Sequence, residues 1–447
     1  MNKFSDLLSK IALCCLIIFL GIIITCGSIV NGIFLSLLSI VFIYLFIKKV
    51  EFKKFGLFLF LASLLIRIIS IIVLRIPIRA DYELMYNGSV GLVNGDLSFI
   101  NNSYFYSFSY QLGNVFYQAL ILKIFHNPEV LRVLNCVYSS VIVLLIYLLV
   151  RKFSKEKTAR FVSIFYMISL YPMYLNSILG NQPLSFMLLF LGVYIFLTKE
   201  LKLCNLILIG LLIALGNIER SEGIIYIASI VVYLLLNEKI YLKVLKNIFV
   251  IVFVYLFVNY SASFLVIKSG INDIGLKNNN PYWKFLTGLN LEDSGKYSSN
   301  DQELYIDDVD LEKKIIIERL TDFKNLPKLF YRKINVQFLY SDLDETFNIK
   351  NSVHMDSFIT RTFCGYVKCM NYFILVCALV GQIKNKMSNI EKFFMLNFCA
   401  YFVIYLFIEV NARYYYNPQI CVMILSAIGV ERFIKFIDER YKKIKIK

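Results

Sequence analysis

Acidic side chains stand where an early apolar run of this chain ends, and they could perform acid–base chemistry there. Asp81 and Glu83 follow that run closely, and Asp96 lies farther along the same polar segment. A carboxylate at a membrane–water boundary serves as a general base when a substrate hydroxyl comes within hydrogen-bond reach. The same carboxylate could instead cap a helix or remain solvated, and the residue type leaves both readings open. Glu83 and Asp96 are candidate partners of Asp81 in acid–base work or metal binding.

Basic and aromatic side chains near the other end of the chain could bind phosphate. Arg413 precedes the tyrosines at 414–416 and follows Glu409. A guanidinium holds phosphate oxygens through two parallel hydrogen bonds and neutralises a departing phosphate. Alternatively, the tyrosines form an aromatic belt at the membrane interface, Arg413 extends its charge toward water, and Glu409 pairs with it. Arg220, in an acidic cluster between two apolar runs, and Lys333 are further candidate phosphate ligands.

The elements that carry these residues are predicted from the apolar content of the chain. The chain has 447 residues, of which 58% are hydrophobic and 17% are charged. Apolar runs recur at the length of roughly 17–25 residues that crosses a hydrocarbon core about 30 Å thick, which predicts an all-α polytopic membrane protein of about 12 transmembrane helices. The predicted spans are 11–27, 29–47, 55–76, 129–150, 161–177, 183–198, 203–218, 222–236, 247–267, 359–382, 393–409 and 414–430.

The distribution of Lys and Arg sets the orientation of these helices. With a cytoplasmic N-terminus, every predicted inner segment has a net positive charge, whereas the outer segments are negative or neutral. This is the positive-inside pattern, so the net charge of +16 indicates topology and not a nucleic-acid surface. Both termini are predicted to be cytoplasmic and Asp81 to lie outside. The basic tail 442–447 is predicted to contact the anionic lipid headgroups of the cytoplasmic membrane.

Two large loops are predicted on the outer side, whereas the inner loops are short. The first, 77–128, contains the apolar segment Tyr110–Phe125. We predict an interfacial or re-entrant helix there, because a membrane crossing would invert the charge pattern. The second loop, 268–358, has enough aromatic and apolar residues to form a small folded cap. The chain thus divides into a transmembrane region at 1–267, the cap, and C-terminal helices with a basic tail at 359–447.

The cysteines and histidines give no sign of a metal site. All ten cysteines fall in or beside apolar spans, where they act as small buried side chains and not as a disulfide framework. The two histidines, His126 and His354, stand alone without the spacing of metal ligands. The sequence requires no cofactor, and it leaves open whether a divalent cation takes part.

The order of several short motifs resembles the GT-C superfamily of membrane glycosyltransferases. The closest likeness is to its bacterial branch related to protein O-mannosyltransferases (family 39-like). Each motif alone is short, and the resemblance rests on their order and on their common outer side. The motifs are, in chain order, Ala80-Asp81-Tyr82-Glu83-Leu84-Met85-Tyr86 with Gly95-Asp96, Tyr110-Gln111-Leu112-Gly113, Gly288-Leu289-Asn290 with Gly295 and Asp301, and Glu409 with Arg413-Tyr414.

The resemblance implies a GT-C-like enzyme that moves one sugar from a polyprenyl-phosphate carrier to an acceptor outside the cytoplasmic membrane. It implies that Asp81 is the catalytic base and that Arg413 binds the lipid phosphate. Arg220 or Lys333, the other candidate phosphate ligands, could assist Arg413. Transfer is then a single displacement with inversion. Abundant Ile, Lys and Asn are typical of an AT-rich bacterial genome, and a bacterial source favours undecaprenyl phosphate over dolichol as the carrier. The acceptor could be a wall polymer, a glycolipid or a protein.

The sequence also departs from the eukaryotic relatives, and other functions remain open. It has Asp-Tyr-Glu where those relatives have an adjacent Asp-Glu pair, and it lacks their soluble C-terminal sugar-binding module, which leaves the acceptor and the metal requirement undefined. A lipid-linked glycan polymerase or ligase would rely on outer-loop arginines and histidines. A polytopic transporter or flippase would show repeated halves and charged residues at mid-membrane, where Arg67 is the only central charge in the predicted spans.

Overall fold

The protein is all-helical wherever its structure is described. A computed structural model describes residues 28–50, 52–237, 241–305, 308–339, 357–383 and 386–446. No β-strand occurs in these ranges, so the prediction of an all-α protein is confirmed. The predicted span 11–27, His354 and part of the predicted cap lie outside the described residues.

Helices of very different lengths make up the first half of the described chain. Two short 3₁₀ turns, Ser98–Asn101 and Ser109–Gln111, lie in the first predicted outer loop. The α-helices are α1 (Ser28–Lys49), α2 (Phe55–Leu74), α3 (Asp81–Val93), α4 (Ser103–Ser107), α5 (Leu112–Phe125), α6 (Pro128–Val150), α7 (Glu156–Met167), α8 (Leu170–Ser177), α9 (Gln182–Thr198), α10 (Leu203–Glu219), α11 (Gly223–Asn237) and α12 (Tyr241–Lys268).

Four short helices and then four longer helices of the same bundle follow α12. A π-helical turn at Asn335–Leu339 and a 3₁₀ turn at Ala412–Tyr415 interrupt the regular pattern. The α-helices are α13 (Trp283–Gly288), α14 (Ser299–Tyr305), α15 (Val309–Thr321), α16 (Leu326–Ile334), α17 (Ser357–Gln382), α18 (Asn389–Phe407), α19 (Tyr416–Leu425) and α20 (Ala427–Ile446).

Six of the described helices are long and apolar enough to cross a membrane. They are α2, α6, α12 and α18 with Val30–Lys49 of α1 and Arg361–Gln382 of α17. The apolar helices α9, α10 and α11 have 15 to 17 residues and correspond to three further predicted spans. Helix α5, at 14 residues, extends for about 21 Å and is too short to cross. The total of about 12 spans stays a prediction.

The predicted span 161–177 is two helices in the structure. Helix α7 ends at Met167, and α8 begins at Leu170 after the extended residue Ser169. Pro172 explains the interruption, because its ring would collide with the carbonyl of residue 168 in a continuous helix. Within the first turn of α8 the missing N–H of Pro172 costs no hydrogen bond, so the proline fits the new helix start.

Close helix pairs hold the bundle together through small residues. Helix α1 packs along α17, and a Cβ atom added to Gly32 would lie 2.5 Å from the backbone nitrogen of Tyr366. Small side chains at such contacts let transmembrane backbones approach closely. Arg67 is fully buried in α2 and donates from Nη1 to Ser63 Oγ at 2.7 Å and to the Met167 carbonyl at 3.3 Å, so it bonds within the bundle.

The described part of the segment 268–358 has a small apolar core of its own. Trp283, Leu286, Leu289, Ile316 and Leu329 form this core between α13, α15 and α16. A bidentate ion pair ties its helices together. The Arg319 guanidinium donates to both carboxylate oxygens of Asp301 at 2.7 and 2.8 Å and to the Leu286 carbonyl at 2.6 Å. Asp301, one of the motif residues, therefore stabilises this segment.

Candidate active site

A cavity of about 1300 Å³ collects the ends of elements that are far apart in sequence. Its walls come from the start of α3, the segment 102–111, the connection between α10 and α11, residues 276–284, and the segment that follows α18. This is larger than the roughly 300–1,000 Å³ of a typical small-molecule site and leaves room for two substrates. The charged residues that line it are Asp81, Arg220, Glu222, Lys284, Glu409 and Arg413.

Asp81 and Arg413 form an ion pair at the centre of this lining. Asp81 Oδ2 lies 3.0 Å from Arg413 Nη2, although 332 residues separate the two in sequence. The Asp81 side chain keeps 35% of its surface exposed, whereas Arg413 keeps 16%. Oδ1 of Asp81 receives no hydrogen bond from the described residues. The carboxylate is thus oriented by Arg413 on one side and open to the cavity on the other.

The backbone in front of Asp81 is strained. Asp81 is the first residue of α3, and the preceding Ala80 has φ 53° and ψ −136°, a conformation that residues with a Cβ rarely adopt. The Ala80 carbonyl accepts hydrogen bonds from the amides of Glu83 and Leu84, which begin the helix. Strained backbone of this kind persists where the surrounding structure fixes a side chain in a required position, and it clusters at active sites.

Arg220 is fixed at the connection between α10 and α11. Its Nε lies 2.6 Å from Glu222 Oε1, and its Nη1 donates to Asn181 Oδ1 at 3.1 Å. The second oxygen of Glu222 accepts a hydrogen bond from the Tyr401 hydroxyl at 2.9 Å. Arg220 therefore faces the cavity from a rigid position, held by an acid and an amide.

Lys284 is a cavity cation that the sequence analysis missed. No carboxylate of the described residues lies within ion-pair distance of its ammonium group. The Lys284 ammonium lies 5.6 Å from the centre of the Tyr414 ring, and the Arg220 and Arg413 guanidiniums lie at 5.6 and 5.5 Å from the same ring. Tyr110, Tyr414 and Glu409 raise the pKa of Lys284 above its ordinary value, although burial opposes them. Three cations thus surround one tyrosine at the cavity wall.

The segment after α18 brings Lys284 and Arg413 together. The amide of Glu409 donates to the Lys284 carbonyl at 2.7 Å, and the amide of Val410 donates to the Gly295 carbonyl at 2.8 Å. Burial raises the pKa of the Glu409 carboxyl, with Lys284 and Arg413 opposing the shift. Gly288 permits this contact, because a Cβ atom there would lie 2.2 Å from the Ile408 backbone.

Three of the sequence-predicted site residues are not in the cavity lining. Glu83 is exposed on α3 one position beyond the lining residue Tyr82. Asp96 is exposed and accepts from the Ser98 amide at 2.8 Å and from the Ser98 hydroxyl at 3.0 Å. These two hydrogen bonds lower the pKa of Asp96 and mark it as the acid of a local turn.

Lys333 is the third residue outside the cavity. Its side chain is 1% exposed, and its ammonium donates to the carbonyls of Gly288, Leu406 and Ile408 at 2.6, 2.7 and 2.8 Å. All three hydrogens of the ammonium are thereby used. Two of these carbonyls belong to the end of α18, where helical carbonyls lack intrahelical partners. In this structure Lys333 joins α13 and α16 to α18.

Asp81, Arg220 and Arg413 are therefore the predicted residues that the structure brings together. Among the described residues, no three His, Cys, Asp or Glu side chains are grouped as ligands for a metal ion. The seven cysteines that the structure describes are free thiols.

The helical bundle and the charged residues of the cavity indicate the kind of reaction that this class of protein could catalyse. A helical membrane bundle whose cavity combines a carboxylate with several cations is suited to moving a group that is carried on a phosphate. Residues 113–262, about a third of the chain, match the family of dolichyl-phosphate-mannose-protein mannosyltransferases. This match confirms the predicted resemblance and supports a membrane glycosyltransferase of the GT-C type. It includes Arg220, whereas Asp81, Lys284 and Arg413 lie outside it. No curated protein matches the chain.

Proposed function

We propose that this protein transfers one sugar from a polyprenyl-phosphate carrier to an acceptor on the outer side of the cytoplasmic membrane. The observation that carries the proposal is the placement of Asp81 beside Arg413 in a cavity that also holds Arg220 and Lys284. A transfer of this kind needs a base for the acceptor and fixed positive charge for the leaving phosphate. This cavity contains both.

Asp81 acts as the base in the proposed reaction. Its carboxylate removes the proton of an acceptor hydroxyl, and the oxygen attacks the anomeric carbon of the carried sugar. The bond between that carbon and the phosphate oxygen breaks, and polyprenyl phosphate leaves with the bonding electrons. Because the acceptor oxygen attacks from the face opposite the leaving phosphate, this single displacement inverts the anomeric configuration. Arg413 holds the carboxylate in position through Oδ2.

The leaving phosphate is stabilised by the cations around Tyr414. Negative charge develops on the phosphate as the glycosidic bond breaks, and preorganised cationic donors lower the energy of that state most in a partly dry site. Lys284 has no carboxylate partner among the described residues and is therefore the cation most available for phosphate. Arg220 and Arg413 add donors whose positions are fixed by Glu222 and Asp81. Lys333 is omitted from the set because its hydrogens are already bonded.

The proposed location follows from the charge pattern of the sequence. Asp81, Arg220, Lys284 and Arg413 all fall in segments predicted to lie outside, and the cavity they share is consistent with one common side. Both termini are then cytoplasmic. The carrier is proposed to be undecaprenyl phosphate, and the acceptor to be a component of the cell envelope.

The test compares Asp81→Asn with Asp96→Asn. Both changes remove one carboxylate from the same predicted loop, but Asp96 is exposed and lies outside the cavity lining. Purified protein is supplied with undecaprenyl-phosphate sugars and a crude envelope acceptor, and transferred label is counted. D81N is expected to lower turnover about a hundredfold to ten-thousandfold, the usual contribution of a general base. D96N is expected to retain wild-type turnover. Equal turnover of D81N and wild type excludes Asp81 as the base.

A metal requirement is tested in the same assay. Transfer is measured before and after chelation, and again after the addition of Mg²⁺ or Mn²⁺. Because the cavity supplies its own cations, full activity is expected in the presence of chelator. A loss that Mg²⁺ or Mn²⁺ restores would assign part of the phosphate binding to a metal.

A further inference from the structure

One wall of the cavity is lined mainly by amides, hydroxyls and aromatic rings. It is formed by residues 102–110 of the first predicted outer loop and by residues 278–309. The two segments are joined by the backbone, because the amides of Asn279 and Asn280 donate to the Ser107 carbonyl at 3.1 and 3.3 Å. Among the described residues of these two segments, Lys284 is the only charged residue that lines the cavity.

Two exposed tyrosine rings stand on this wall. Tyr106 is 67% exposed and Tyr297 is 53% exposed, although both line the cavity. Tyr297 packs edge to face against Trp283, with ring centres 6.1 Å apart, so its ring is held in place. An exposed aromatic ring inside a cavity offers a flat apolar surface to a ligand.

Amide groups with unused hydrogen-bonding capacity lie beside these rings. The Asn279 side chain is exposed and has no hydrogen bond to any described residue. Gln302 accepts a hydrogen bond from the Tyr297 hydroxyl through its amide oxygen, and its amide nitrogen has no acceptor among the described residues. A carboxamide both donates and accepts, which suits the vicinal hydroxyls of a sugar ring.

We propose that this wall of amides and aromatic rings binds the acceptor and that the acceptor is a neutral saccharide. The apolar faces of its pyranose rings stack on Tyr106 and Tyr297, and the hydroxyls at their edges pair with Asn279 and Gln302. A phosphate-rich polymer finds few cations on this wall beyond those assigned to the donor. An extended peptide would require a continuous set of backbone hydrogen-bond partners. The role as acceptor rests on the proposed function, whereas saccharide binding by itself does not.

The single tryptophan of the chain makes this binding measurable without turnover. Trp283 lines the cavity and contacts Tyr297, so its fluorescence reports on occupancy of the wall. Full-length protein in nanodiscs is titrated with maltohexaose, chitohexaose or mannohexaose, and with a neutral peptide rich in Ser and Thr. At least one hexasaccharide is expected to give a saturable change. The peptide is expected to give none.

Two matched variants test whether this wall of the cavity binds the saccharide. Tyr106→Ala is expected to weaken saccharide binding about threefold to tenfold, the value of one aromatic contact. Tyr331→Ala is the control, because Tyr331 is 71% exposed on α16 but does not line the cavity, and it should bind like wild type. The inference is overturned if no hexasaccharide binds, if only the peptide binds, or if Y106A and Y331A behave alike. Saccharide binding without any sugar transfer by wild type would overturn the proposed function alone.

Discussion

Asp81 Oδ2 and Arg413 Nη2 lie 3.0 Å apart and join the first predicted outer loop to the segment that precedes α19. The pair combines the group proposed to take a proton with a group proposed to hold a phosphate. Because Oδ1 of Asp81 receives no hydrogen bond from the described residues, the pairing orients the base and leaves one oxygen for the acceptor. The two roles are therefore coupled in one contact.

Replacement of Arg413 is expected to reduce catalysis in a graded way. Arg413→Ala removes both the orienting contact to Asp81 and a cation of the site, and kcat/KM should fall about a hundredfold to a thousandfold. Arg413→Lys should recover only part of this loss, because an ammonium lacks the planar fork of a guanidinium. The effect is measured as the initial rates of purified variants whose melting temperatures match that of wild type. Full turnover by R413A would exclude the proposed role.

Replacement of Lys284 is expected to lower kcat/KM for the polyprenyl-phosphate donor. Lys284→Met removes the cavity cation that has no carboxylate partner among the described residues, and kcat/KM for the polyprenyl-phosphate sugar should fall about tenfold to a hundredfold. Lys277→Met is the matched control, because Lys277 is exposed and does not line the cavity. Rates are measured over a range of donor concentration. If K284M and K277M give the same kinetics, phosphate is bound elsewhere.

Gly113 is expected to be required for stability. A Cβ atom at this position of α5 would lie 1.9 Å from the carbonyl oxygen of Ile218 in α10, and a backbone atom cannot rotate away. Gly113→Ala should therefore destabilise the protein by about 1–3 kcal/mol or more, the cost of overpacking. In Gly56→Ala the added atom meets only side-chain atoms, the nearest at 3.2 Å, and this control should melt close to wild type. Thermal unfolding in detergent measures both, and equal melting temperatures would contradict the prediction.

Lys333 is expected to make stability depend on pH. Burial lowers the pKa of Lys333 to about 7, with Glu409 opposing the shift. An unfolded lysine keeps its proton up to about pH 10.4. Between these two values the unfolded state binds a proton that the folded state does not, so the free energy of unfolding rises with pH there and is constant below.

The pH dependence is measured as a difference between wild type and Lys333→Met. The variant is expected to be less stable at every pH, because three buried carbonyls lose their donor. The advantage of wild type over K333M in melting temperature should grow as the pH is raised from about 7 toward 9. Melting curves of the two proteins that stay parallel across this range would show that Lys333 does not titrate there.

Sequence analysis predicted those cavity residues that stand at the ends of apolar runs. Asp81, Arg220 and Arg413 are charged residues next to segments of membrane length, and the charge pattern assigned all of them to one side. Charged groups so placed are costly unless they have a function or a partner, which makes them visible in a single sequence. Their convergence in one cavity agrees with that assignment.

The sequence could not identify the residues whose position depends on contacts between distant segments. Lys284 directly follows the only tryptophan, yet it reaches the cavity because its carbonyl pairs with the Glu409 amide 125 positions later. From the sequence, Lys333 was interpreted as a candidate phosphate ligand. In the structure its ammonium is bonded to three carbonyls, which belong to helix ends that only the folded chain brings together. The segment 161–177 was predicted as one span because it is apolar and of nearly membrane length. Pro172 interrupts it, and the structure has two helices there.

The distance in sequence between Asp81 and Arg413 has a consequence for biosynthesis. At about 5–20 residues per second, the ribosome reaches Arg413 roughly 17–66 s after Asp81 has been made. The nascent chain therefore carries Asp81 through insertion of most of its helices without the guanidinium that pairs with it. A chain truncated before residue 413 would lack the cation that pairs with Asp81, so the proposed transfer would begin only after nearly all 447 residues are in place.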